Sequence, residues 1–194
     1  MGITAVLAVA ATLAIGWALT RPTIAPAPEA TGTAAPFSGA QGGGAPQGGV
    51  PDISQMTPQE QFLRLSDRVE RSVLSGDTAT VVRFFPMLES AFKNLSPAER
   101  DNDARFHLSL VQAQVGHFPA AIAQVDSIVA SVPNHLFAYY LKALIADFQG
   151  NTVAAQAARL AFRTHFAAET AAKRLEYQEH QQLLDDFLKT TPEK

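Results

Sequence analysis

The segment GHFPAAIAQVDSIVASVPN, residues 116–134, decides the fold class of this chain. It is an apolar run of helical character with Gly116 at its start and Pro133 and Asn134 at its end. Because glycine favours a tight turn and proline ends a helix, these residues bound a single helix. From about residue 57 onward, similar helix-length runs alternate with short turns. No stretch alternates between apolar and polar residues with the period of two expected of a strand. The sequence therefore predicts an all-α domain over residues 57–194.

A period of 34 residues relates this segment to the one that follows it. Gly116 is matched by Gly150, and Ala121 is matched by Ala155. At the same spacing, Phe106 is matched by another aromatic residue, Tyr140. A fixed period of this length indicates stacked helix-turn-helix units.

The 34-residue unit resembles the tetratricopeptide repeat (TPR). In that family a small residue lets the second helix pack closely on the first, a bulky residue follows four positions later, and a proline ends the unit. Ala121, Val125 and Pro133 occupy those places, with Gly116 at the turn. These four residues carry most of the resemblance.

Two further helix pairs fit the TPR pattern less well. The unit around Gly150 keeps Ala155, but Arg159 stands at its bulky position and no proline closes it. A pair over about residues 58–95 fits loosely, because Pro86 has no counterpart in the pattern. The resemblance implies a TPR-like array of about three helix pairs, with a last helix over about residues 176–189 as the cap that such arrays need.

The resemblance also implies a binding surface. In TPR proteins the first helix of each pair lines a groove, and the residues at the partner-binding positions here are apolar or aromatic: Phe106, Leu110, Phe137, Tyr140, Leu144 and Phe148. Such a groove suits an extended or helical protein segment, since a few buried aromatics carry most of an interface's affinity. The alternative is that the C-terminal helix, with Phe187 and Leu188, covers these residues itself.

The N-terminus predicts a membrane anchor over residues 1–21. Residues 3–20 carry no charge, and a helix of 18 residues is about 27 Å long, which is just enough to cross a hydrocarbon core. Trp17 and Arg21 lie at its end, where we expect them at the membrane interface. A cleaved signal peptide remains the alternative, although no basic residue precedes the apolar run.

Residues 22–56 are rich in proline, alanine and glycine, which predicts a flexible linker. Anchored bacterial TPR proteins act in the assembly of envelope complexes, and this resemblance favours a periplasmic helical domain on a single-pass protein of the bacterial inner membrane. Arg21 after the span favours the cytoplasmic side instead, so that alternative stays open.

The composition argues against several kinds of chemistry. The chain has no cysteine, which excludes thiolate metal sites and cysteine nucleophiles, and its net charge of −3 provides no basic field for nucleic acid. No phosphate-binding loop or metal-binding histidine motif occurs, so we expect the five histidines to be solvated or to cap helices. The sequence predicts no catalytic residue, no metal, no cofactor and no small-molecule substrate; a hydrolase built from scattered His and Asp residues is the least favoured function.

These inferences combine into one functional hypothesis. We expect a non-enzymatic, membrane-anchored adaptor that captures an apolar or helical segment of a protein partner, as in the assembly of envelope complexes such as those of cytochrome c biogenesis. The alternative is a permanent structural subunit of a larger membrane complex, since the alanine-rich residues 3–20 would suit close packing against other membrane helices.

Overall fold

The computed structural model of the protein describes residues 56–191. Every regular element in this range is a helix, so the predicted all-α class is confirmed for this part of the chain. The eight helices are α1 Pro58–Ser75, α2 Thr78–Asn94, α3 Asn102–Gln114, α4 Phe118–Ser131, α5 Leu136–Phe148, α6 Thr152–Ala171, α7 Leu175–Glu179 and α8 Gln181–Thr190. Within residues 56–191, none of the helices combines the length and the apolar character needed to cross a bilayer. The predicted anchor, with Trp17 and Arg21, and the predicted linker as far as residue 55 lie outside the described residues.

The first helix begins where the sequence places a capping box. The Thr57 side chain accepts a hydrogen bond from the backbone N–H of Glu60, and the Glu60 carboxylate accepts one from the backbone N–H of Thr57 at 2.8 Å. Pro58 occupies the first helical position, where its missing N–H costs nothing. These contacts fix the start of α1.

Three helix hairpins, α1–α2, α3–α4 and α5–α6, turn through the same backbone geometry. Gly76, Gly116 and Gly150 have φ angles of 72°, 82° and 71°. In each turn the glycine N–H donates to the carbonyl three residues earlier, and the next N–H donates to the carbonyl five residues earlier. This is the Schellman arrangement, in which a left-handed glycine ends the helix and satisfies its last carbonyl groups.

The hairpins pack in series. Within each hairpin the two helices lie against each other; α1 also contacts α3, and α3 contacts α5. The second helix of each of the first two hairpins packs on the first helix of the next, and α8 lies against α6. Small residues allow the two helices of a hairpin to approach closely: Ala121 in α4 and Ala155 in α6 are almost completely buried. The bulkier Val125 of α4 is also almost completely buried. Pro133 is exposed between α4 and α5.

Helix α3 lies between two apolar cores. Ala104, Leu108 and Val111 belong to the core that α1 and α2 form. Phe106 and Ala113 belong to a second core, which α4, α5, α6 and the C-terminal helices complete. The first helix of the middle hairpin is therefore buried on two sides.

Pro86, which has no counterpart in the TPR pattern, lies inside α2: the helix begins at Thr78 and continues through this exposed residue. One local feature differs from the sequence-based expectation. The expectation of one unbroken final helix is wrong: α7 and α8 are separate helices that meet at His180, whose φ and ψ of −108° and 19° depart from helical values. The break lies at His180, whose side chain forms a hydrogen bond with Asp103 of α3.

We predict that Gly116→Ala lowers the free energy of unfolding by about 1–2 kcal/mol, because a left-handed φ places Cβ close to the following carbonyl. A Cβ at Gly116 would meet no other atom within 4 Å, so the backbone conformation alone sets the cost. Urea denaturation followed by far-UV circular dichroism measures it. Gly116→Asn is the matched control and should lose less free energy of unfolding, since asparagine tolerates this backbone conformation better than alanine. Equal losses for the two variants would contradict the explanation.

Candidate functional site

The six predicted partner-binding residues lie on the first helices of two successive hairpins. Phe106 and Leu110 are on α3, and the other four, Phe137, Tyr140, Leu144 and Phe148, are on α5. The Phe106 and Phe137 rings stack with centroids 4.2 Å apart, and the Phe106 and Tyr140 rings meet edge to face at 5.8 Å. Five of these residues belong to or pack against one core cluster, and Leu144 is half-buried on the same helix as Tyr140. We call these six residues the aromatic face.

The chain's own C-terminal helices lie on the aromatic face. The Tyr177 ring of α7 packs edge to face on Phe137 at 5.6 Å, and the Phe187 ring of α8 packs on Tyr140 at 4.8 Å. As a result Phe106 is 1% exposed and Phe137 is 0% exposed, while Tyr140 remains partly accessible. Of the two arrangements that the sequence leaves open, the structure shows the covered one for Phe106, Phe137 and Tyr140, which the final helical segment contacts directly.

Tyr177 attaches α7 to α5 and α6 through its hydroxyl. The hydroxyl oxygen accepts a hydrogen bond from the backbone N–H of Leu136 at 2.9 Å, and its proton is donated to the carboxylate of Glu169 at 3.0 Å. Burial raises the pKa of Tyr177, so the hydroxyl keeps this proton at physiological pH. The bond also satisfies the first free N–H of α5, a group that a helix start leaves without a partner.

A cluster of two histidines and two carboxylates joins the C-terminal segment to α3 and α1. His180 Nε2 donates to Asp103 Oδ1 at 2.8 Å, and His107 Nδ1 donates to Glu70 Oε1 at 3.2 Å. Asp103 and His107 are one helical turn apart on α3, and the His107 and His180 rings are 5.1 Å apart. We call Glu70, Asp103, His107 and His180 the histidine–carboxylate cluster.

The electrostatics of the histidine–carboxylate cluster favour the charged forms of Asp103 and His107. Burial alone would raise the pKa of Asp103, but the hydrogen bond from His180 and the positive charges of His107 and His180 hold it below the usual value. Burial alone would lower the pKa of His107, but the hydrogen bond to Glu70 and the nearby carboxylates hold it above the usual value. The cluster therefore sets opposite charges side by side in a mostly buried setting.

The same cluster contains ligand types that metals use. One ligand atom from each of Asp103, His107 and His180 lies within 4.8 Å of the other two. The spacing of the histidines along the chain does not reveal this group. Asp103 and His107 are four residues apart on one helix, so their proximity can be read from the sequence. The position of His180 depends on how the C-terminal segment docks, which the sequence does not show.

The expectation that histidines are solvated or cap helices fits some of them and not others. His107 and His180 are mostly buried and bonded to carboxylates, so for them it is wrong. His135 does cap α5, although it is completely buried: its Nδ1 accepts from the backbone N–H of Phe137 at 3.3 Å. Its Nε2 donates to Glu176 at 3.2 Å. With one nitrogen accepting and the other donating, the neutral ring satisfies both contacts.

No protein-family model matches this chain, and neither curated proteins nor solved structures gave a match.

We predict that His135 makes the protein less stable as the pH falls. Burial lowers the pKa of His135 from its usual 6.5, so below pH 6.5 the unfolded chain binds a proton that the folded chain does not. The contribution of the neutral His135 ring to the free energy of unfolding is fully present above pH 6.5. It is lost as the pH falls from 6.5 toward the pKa of His135 in the folded protein. The slope is at most about 1.4 kcal/mol per pH unit.

The measurement is the difference in unfolding free energy between wild type and His135→Gln from pH 7.5 to pH 5. Comparing the two proteins cancels the other titrating groups, including His107, whose raised pKa acts in the opposite direction. A difference that stays constant, or that moves in favour of wild type on acidification, would show that burial does not suppress protonation of His135.

Proposed function

We propose that this protein is a non-enzymatic, membrane-tethered adaptor whose helical domain is a TPR-like array. Three hairpins with the same glycine turn, stacked so that α1 contacts α3 and α3 contacts α5, support the repeat interpretation. The small residues at the positions that the TPR pattern requires, Ala121 and Ala155, are buried between helices, which supports it further.

One observation carries the functional part of the proposal: the aromatic face holds an amphipathic helix. Helix α8 buries Leu184 and Phe187 while Gln181, Gln182 and Lys189 are exposed. Its Phe187 ring lies 4.8 Å from both Tyr140 and Phe162. A surface that receives this helix has the shape and the apolar character that a partner helix of the same kind needs.

We propose that a helical segment of a protein partner replaces α8 on the aromatic face. Helix α8 has ten residues, and isolated helices shorter than about 12–15 residues are marginal in water, so its position depends on the contacts it makes. Releasing it costs the contacts of Leu184 and Phe187 in the second core, while the glycine turns of the three hairpins and the first core do not involve α8.

The predicted anchor and linker complete the proposal. A span over residues 3–20 in the bacterial inner membrane and a linker over residues 22–56 would hold the helical domain near the bilayer, in the periplasm. Tethering raises the effective concentration of the domain for membrane-bound partners without any additional contact. Assembly of an envelope complex is the setting that we propose for this adaptor.

A second function, a permanent structural subunit, has a specific observation in its favour. Large apolar side chains are exposed on the second helices of the hairpins, away from the aromatic face: Val82, Met87, Ile122, Val153 and Leu160. Val153 is 77% exposed and Val82 is 68% exposed, and a constant neighbour would bury such surface.

Photo-cross-linking of the full-length protein in its native membrane distinguishes the two functions. A photoreactive amino acid at Leu144, on the aromatic face, should give a discrete protein adduct, whereas one at Lys142, exposed on the same helix, should not. Phe187→Ala should raise the yield at Leu144 severalfold, because the variant weakens the hold of α8. Adducts at Val153 but none at Leu144 would favour the structural subunit, and a yield at Leu144 that falls in Phe187→Ala would overturn the exchange of helices.

A further inference from the structure

We propose that Asp103, His107 and His180 form a binding site for one divalent transition-metal ion, with Zn²⁺ as its representative, and that Glu70 orients His107 in it. The site lies between α3 and the junction of α7 and α8. It is independent of the proposed adaptor function and does not need a partner protein.

The distances fit a metal of this kind. A tetrahedral zinc ion with bonds of about 2.0–2.1 Å separates its ligand atoms by roughly 3.3 Å. Asp103 Oδ1 lies 2.8 Å from His180 Nε2, and Asp103 Oδ2 lies 3.8 Å from His107 Nε2, so the two separations fall on either side of that value. All three ligand atoms lie within 4.8 Å of one another, a spread that side-chain rotations can close.

The His107 ring is oriented as it would be in a metal ligand. Its Nδ1 donates to Glu70, which leaves Nε2 facing Asp103 at a distance longer than a hydrogen bond. Metal-bound histidines commonly donate their other nitrogen to a carboxylate in this way, which fixes the ring and its tautomer. Glu70 is itself held: the buried Ser66 hydroxyl donates to the same Oε1 at 3.0 Å.

The chemistry of the ligands selects the metal. Two imidazoles and one carboxylate suit zinc and other first-row transition metals, whereas Mg²⁺ and Ca²⁺ prefer oxygen ligands alone. The two carboxylates, Asp103 and Glu70, balance the charge of a divalent ion bound by neutral imidazoles. Three protein ligands leave a fourth tetrahedral position for water. The ligand side chains are 15–21% exposed, so solvent and ions reach them.

The rings around the site restrict its geometry. His180 lies edge to face against Phe106 at 5.3 Å and against Phe137 at 5.2 Å. These contacts hold His180 from the side opposite to the solvent, while the helix break at this residue allows it to leave the line of α7. A bound ion would therefore fasten the C-terminal segment to α3.

The test is a Zn²⁺ titration of the full-length, tag-free protein in detergent, measured by calorimetry and by competition with a chromophoric chelator. We expect one ion per chain, about 10–100-fold weaker binding in Glu70→Gln, and a loss of about 100-fold or more in Asp103→Asn and in His180→Gln. His165→Gln, a histidine outside the cluster, is the matched control and should bind as wild type does. Mg²⁺ should give no comparable binding.

Two measurements keep the test decisive if a variant loses helicity by circular dichroism. Co²⁺ bound to the wild type should show the visible absorption of a low-symmetry, four-coordinate site, and Zn²⁺ should slow hydrogen exchange of residues 181–190 in wild type but not in Asp103→Asn. If wild type binds Zn²⁺ no more tightly than Asp103→Asn and gives no such Co²⁺ spectrum, the cluster is a hydrogen-bonded charge network only and the metal site is wrong.

Discussion

The structure depends on α3 being buried on two sides at once. Leu108 and Val111 face the core of the first hairpin, and Phe106 faces the core that the rest of the chain builds. A helix in this position has little room for polar groups. Ser109 donates to the carbonyl of Ala121 and the Gln112 amide nitrogen donates to Glu89, whereas the buried amide oxygens of Gln112 and Gln114 have no hydrogen-bond partner within residues 56–191. The remaining polar side of α3, with Asp103 and His107, is where the C-terminal segment arrives.

Local sequence signals were sufficient for most of the fold. The capping box at Thr57 and Glu60 and the turns at Gly116 and Gly150 act through neighbouring backbone atoms, so they can be read from a few residues. The all-α class follows from periodicity for the same reason. Helix α2 follows from the same periodicity even though it contains Pro86, because Phe85 and Leu88 lie on its buried side.

Only the part of the candidate site that lies on α3 and α5 could be predicted from the sequence. A period of 34 residues is enough to align Phe106 with Tyr140, and both lie on the aromatic face. The cover over that face depends on contacts between Tyr177, His180 and Phe187 and residues far away along the chain, and no local pattern encodes such contacts. The break at His180 coincides with a hydrogen bond to Asp103 on another helix, a contact that no local pattern encodes either.

In the exchange of helices that we propose, α8 would compete for the aromatic face at an effective concentration of about a millimolar, whatever the protein concentration, because it is part of the same chain. A free helix present at micromolar concentration would have to bind about a thousand times more tightly than α8 to occupy half of the molecules, a difference of about 4 kcal/mol. Weakly apolar segments of other proteins would fail that threshold. The C-terminal helix would then act as a filter on affinity, whose strictness would be set by how well Leu184 and Phe187 fit.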